Sequence, residues 1–67
     1  MEIIFNKTSH QIDDSATVSH LIQQLLGDKQ KGIAVAVNQT IIPKTQWNDV
    51  TLKQHDNVLV IKATQGG

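Results

Sequence analysis

Few side chains in this 67-residue chain are equipped for covalent chemistry, and the gaps are informative. There is no cysteine, so a disulfide framework, a cysteine-based zinc site and a thiol nucleophile are all excluded. His10, His20 and His55 show no metal-ligand spacing, neither an i, i+4 pair nor HExxH. Ser9-His10 and Ser19-His20 are sequence neighbours, which point to opposite faces of a strand or diverge by about 100° on a helix, so neither pair is a nucleophile with its base. Asp13-Asp14 precede a helix start, where acidic residues are expected to complement the helix dipole. What remains is the end of the chain, Gln65-Gly66-Gly67. Read as a free terminus, Gly67 carries a carboxylate that is ionised at neutral pH, with a reference pKa of about 3.3–3.7. It can attack an activated phosphate, and as an acyl-adenylate it becomes an acylating agent. Two glycines without Cβ atoms fit a narrow channel that side chains would block. The sequence has no P-loop or other nucleotide cradle, so a partner has to supply the activation.

The elements that must present this terminus are legible in order. Glu2-Ile3-Ile4-Phe5-Asn6 reads as a strand, Asn6-Lys7-Thr8-Ser9 as a turn and His10-Gln11-Ile12-Asp13 as a weaker second strand, together a hairpin. Thr17 is a good N-cap for a helix on which Val18, Leu21, Ile22 and Leu25 form one apolar stripe. His20 stands where a Glu would complete a capping box, so that cap is expected to be half made. Gly27 suits the residue just past the helix end. After the solvated loop Asp28-Lys29-Gln30-Lys31-Gly32, Ile33-Ala34-Val35-Ala36-Val37 reads as a strand, Asn38-Gln39 as a turn and Thr40-Ile41-Ile42 as a short strand. Pro43 opens a one-turn helix over Lys44-Thr45-Gln46-Trp47, and Trp47 reads as a core plug under the final connection, with an interface anchor as the alternative. Val50 and Leu52 anchor the connection to a last, β-branched strand at Val58-Leu59-Val60-Ile61. The order is ββαββ, a short helix, then β. It implies a small α+β sandwich, with the first and last strands parallel at the centre of a mixed sheet.

Strand alternation also predicts a surface. With Val58 and Val60 turned toward the helix, Leu59, Ile61 and Ala63 face outward. Ile4, Ala34 and Ala36 extend them into an apolar patch on the open sheet face, of the kind that marks a partner site.

Composition limits the other possibilities. Six Lys against six Asp and Glu give a formal net charge of zero, without a basic stripe or an aromatic stacking platform, and this disfavours nucleic-acid binding. Apolar residues make up 39%, enough for one small core, and no run is long enough for a membrane span or signal peptide. A cytoplasmic protein with no intrinsic pocket and no catalysis of its own is the expectation.

Over its whole length the chain resembles the ubiquitin-like β-grasp family, and within it the ThiS-type sulfur carriers. The resemblance rests on Ile3-Ile4-Phe5-Asn6, Thr17-Val18 with Leu21-Ile22, Ala36-Val37-Asn38, Ile42-Pro43-Lys44 with Trp47, Asp56-Asn57-Val58 and the Gly-Gly end. Lys44 stands where Arg is usual, His55 where Gly is usual, and Gln65 where a small residue often precedes the glycines. The resemblance implies a β-grasp fold, with four to five strands on one helix plus a one-turn helix. Residues 1–63 would form the domain and 64–67 a flexible tail. It also implies a protein cosubstrate and not an enzyme. An E1-like adenylyltransferase of the ThiF type, using ATP and Mg, adenylates Gly67, with Gly66 beside it. A sulfur donor system with a cysteine desulfurase then leaves a C-terminal thiocarboxylate. A thiazole synthase of the ThiG type takes that sulfur into thiamine. No cofactor is bound by the carrier itself. Ile4, Ala34, Ala36, Leu59, Ile61, Ala63 and Gln65 are the expected partner contacts. A carrier for molybdopterin synthesis or another pathway, and a β-grasp interaction module without tail chemistry, are the alternatives. A small hydrolase built on His10 or His55 fails on geometry.

Overall fold

A computed structural model describes residues 1–27 and 31–62. Asp28, Lys29 and Gln30 of the expected loop, and the tail residues Ala63, Gln65, Gly66 and Gly67, lie outside the described residues. The elements are β1 (Glu2–Phe5), β2 (Thr8–Gln11), α1 (Val18–Leu26), β3 (Ile33–Val37), β4 (Thr40–Ile42), a 3-10 turn (Lys44–Gln46) and β5 (Asn57–Lys62). They build a five-stranded sheet in the order β2-β1-β5-β3-β4, with β1 and β5 parallel and every other pair antiparallel. The central parallel pair is as expected, because α1 lies between the two strands in sequence and supplies the crossover. The five strands and single α-helix make this a β-grasp fold.

Both hairpins close with two residues in the left-handed region: Asn6 and Lys7 at φ 49° and 70°, Asn38 and Gln39 at φ 50° and 74°. Two-residue turns of this kind match the right-handed twist of the strands, and Asn tolerates the positive φ at their first position. For the first hairpin this corrects the sequence reading. Thr8 and Ser9 belong to β2 and not to the turn, and Ile12-Asp13 fall outside the strand. A tight turn after Phe5 sets the register Phe5↔Thr8, so β2 starts earlier than its composition suggests.

Val18, Leu21 and Ile22 of α1 are fully buried against Ile3, Phe5, Val35, Val37 and Val58 of the sheet, with Trp47 and Leu52 closing one end. Trp47 is a core residue, its indole Nε1 donating to Ile42 O at 2.9 Å. The connection after it also serves the helix. Val18 N donates to Val50 O (2.9 Å) and Ser19 N to Trp47 O (3.0 Å). These first-turn amides have no partner within a helix, so the loop carbonyls satisfy donors that burial would otherwise penalise. The cap is complete as well, which corrects the expectation of half a cap. His20 N donates to Thr17 Oγ1 (3.2 Å) and Thr17 N donates back to His20 Nδ1 (3.3 Å), so the imidazole takes the place of the missing Glu.

Candidate functional site

β5 runs through the middle of the sheet and leads into residues 63–67. Its alternation is as expected: Val58 is fully buried and Val60 half-buried against the core, while Leu59 and Ile61 stand 41% and 49% exposed on the far face. The cross-strand pairs Ala36↔Leu59 and Ala34↔Ile61 place both alanines beneath that face, and Ile4, opposite Asn57, continues it across β1. Ile4 and Ala34 are half-buried. Ala36 departs from the expectation of an outward-exposed alanine: it is buried, at 6% exposure, because its neighbours on either side are the larger Leu59 and Ile41.

Ile41 is the member of this surface that strand reading missed. It is 59% exposed, the most exposed of the large apolar side chains among the described residues, and pairs directly across from Ala36. The signal was present in the sequence. A two-residue turn at Asn38-Gln39 forces Val37↔Thr40 and therefore Ala36↔Ile41, which puts Ile41 on the face of the alanines. The row Ile41–Ala36–Leu59 thus crosses three strands. Beside it lies a depression of ≈ 210 Å³ lined by Lys7, Ala36, Gln39, Asn57 and Leu59, a feature not expected in so small a domain.

The start of β5 is held by polar side chains from both hairpin turns. Asn38 Nδ2 donates to Asp56 Oδ1 (2.9 Å), and Asn38 Oδ1 accepts from Asn57 N (2.9 Å). Asp56 is buried, and its Oδ2 accepts from Lys53 N at 2.8 Å. On the other side Asn6 Oδ1 accepts from Val60 N at 2.8 Å. The base of the tail-bearing strand is therefore fixed on both flanks.

The other candidate groups are scattered. His10 packs its ring edge-on to Phe5, His20 caps α1 and His55 lies on the surface 3.9 Å from Glu2. Asp14 pairs with the Met1 ammonium at 2.9 Å, and the first turn of α1 holds no acidic residue, so the expected dipole role of Asp13-Asp14 is not what the structure shows. Among the described residues no group of three or more His, Asp or Glu is placed to hold a metal ion. No helix among them is long and apolar enough to cross a membrane.

Residues 2–67 match the ThiS family profile. The chain belongs to the ThiS family. The sulfur carrier protein ThiS of Escherichia coli (strain K12) is 36% identical to it over 67 residues, all of both chains. Two solved structures from Geobacter metallireducens share the fold at 22% identity. One is the crystal structure of thiamine biosynthesis protein ThiS, with a TM-score of 0.86 and all of both chains covered. The other is the solution structure of a thiamine biosynthesis protein, with a TM-score of 0.77, covering all of this chain and 88% of that one. In this ThiS chain the open sheet face and the strand that leads to the terminus are one continuous feature, because Leu59 and Ile61 belong to both.

Proposed function

We propose that this chain is a sulfur carrier of thiamine biosynthesis and that the carbonyl carbon of Gly67 is the atom that carries the sulfur. The observation that supports this best is the family match over residues 2–67, which includes both terminal glycines. A ThiS-type chain is a carrier and not a catalyst. The chemistry agrees, since a chain with no cysteine has no thiol on which to hold sulfur.

A carboxylate resists nucleophilic attack at its carbon because the leaving group would be an oxide. An E1-like adenylyltransferase, using ATP and Mg, removes that obstacle: a Gly67 oxygen attacks the α-phosphate, pyrophosphate leaves, and the acyl carbon now bears AMP. The outer sulfur of a persulfide made by a cysteine desulfurase route attacks that carbon and displaces AMP, giving an acyl disulfide. A second thiol of the donor system then cleaves the S–S bond, supplying the two electrons, and leaves a thiocarboxylate and a disulfide. A thiazole synthase consumes the thiocarboxylate. The domain of residues 1–63 serves as the handle. Ile4, Ala34, Ala36, Leu59 and Ile61, together with Ile41, form the surface these enzymes grip, while Ala63, Gln65 and Gly66 follow Gly67 into them.

Intact-mass measurement of the full chain, co-expressed with an adenylyltransferase and a sulfur donor system, tests the proposal. The expected result is a fraction heavier by the exchange of one oxygen for sulfur, mapped to Gly67. A chain that stays entirely unmodified under those conditions overturns it.

A further inference from the structure

β1 is shorter than the strand beside it. It pairs with β5 through Ile4↔Asn57 and Phe5↔Val58, then turns away at Asn6-Lys7, whereas β3 accompanies β5 as far as Ile33↔Lys62. The direction of each backbone group follows from its bonds. Ile4 N donates to Asp56 O (2.9 Å), Asn6 N to Val58 O (2.9 Å) and Val60 N to Asn6 Oδ1 (2.8 Å), so the even-numbered residues of β5 face β1. Asn38 N donates to Asn57 O (2.8 Å), so the odd-numbered ones face β3. Asn6 thus extends the ladder by one side-chain rung and ends it. Beyond that rung, Val60 C=O and Lys62 N–H point to the β1 side with no partner among the described residues.

We infer that this notch, bounded by the Asn6-Lys7 turn and open toward the tail, receives an extended segment of the enzyme that acts on the terminus, which hydrogen-bonds to Val60 C=O and Lys62 N–H as an added strand. The inference rests on the carrier reading above. Three observations support it. Unpaired strand edges are templates for strand addition. This edge lies on the strand that leads into residues 63–67, so an enzyme drawing the tail in as extended chain runs beside it. The added strand would lie next to Leu59 and Ile61, so its alternate side chains on that face are apolar and extend the exposed patch. The occupant is the enzyme and not a second copy, because only an enzyme that takes in residues 63–67 as extended chain holds its own backbone alongside the strand that leads into them.

The test uses the full 67-residue chain made by chemical synthesis, with Lys62 N-methylated, and reads pyrophosphate release by the adenylyltransferase of the same host. N-methylation deletes one donor that has no partner among the described residues, so the thermal midpoint should stay unchanged while KM rises about tenfold and kcat holds. An ester in place of the Ile61–Lys62 amide removes the same N–H without added bulk and should raise KM to a similar extent. An unchanged KM in both variants overturns the added strand while leaving the carrier reading intact. No pyrophosphate release from the unmodified chain overturns the carrier reading, and the strand with it.

Discussion

Asn38 Nδ2 donates to the buried carboxylate of Asp56 at 2.9 Å, tying the β3–β4 turn to the turn that launches β5. Asn38 is suited to this by two properties at once. It tolerates φ 50°, and its amide both donates to Asp56 and accepts from Asn57 N. Asn38→Ala should therefore destabilise the domain by about 2–3 kcal/mol, since it leaves Asp56 Oδ1 and Asn57 N without partners. Urea denaturation measures this, and a loss under about 0.5 kcal/mol would show that the network contributes little.

His55 holds φ 71°, a conformation that a residue with a Cβ adopts at some cost, and its ring is largely exposed 3.9 Å from Glu2. A surface contact of that length contributes little. His55→Gly should raise stability by about 0.5–1 kcal/mol, because glycine takes this angle without strain. A lower denaturation midpoint in the Gly variant would mean the ring contact matters more than the backbone angle.

His20 completes the α1 cap through Nδ1. His20→Ala is expected to cost about 0.5–1 kcal/mol, whereas His20→Glu should recover that loss, because a carboxylate accepts from Thr17 N and also suits the positive end of the helix dipole. Equal stability of the Ala and Glu variants in denaturant would count against the cap.

Val60 and Ile61 are adjacent but serve opposite faces. Val60→Asp places a charge against the core and should cost at least about 3 kcal/mol, while Ile61→Asp, at a position 49% exposed, should stay within about 1 kcal/mol and instead weaken binding to the adenylyltransferase. Ile41→Asp should behave like Ile61→Asp. Comparable unfolding by all three, followed by circular dichroism, would refute the assignment of faces.

Gly67→Ala adds a methyl group beside the carbonyl proposed to react. Adenylation should fall at least about tenfold, as expected when a near-attack geometry is disturbed. Pyrophosphate release at the wild-type rate would place the reactive centre elsewhere.

The amino-acid sequence by itself determined much of what depends on short range, although the bounds of the first turn and the part His20 plays in the α1 cap, both local, became legible only in the fold. The apolar stripe of Val18, Leu21 and Ile22 specifies a helix. The alternation of Ile33 to Val37 specifies which residues face the core, and the lack of cysteine restricts where sulfur could be carried. Only the tertiary structure decided the features made by residues distant in the chain. Asn6 is 54 positions from Val60 and Asn38 is 18 from Asp56, so nothing local announces that these amides hold β5. The loop carbonyls of Trp47 and Val50 reach α1 in the same long-range way. Periodicity shows which side of a strand is apolar. How far a neighbouring strand extends before it turns, and so which backbone groups stay unpaired, depends on turn geometry and register, which only the folded sheet sets.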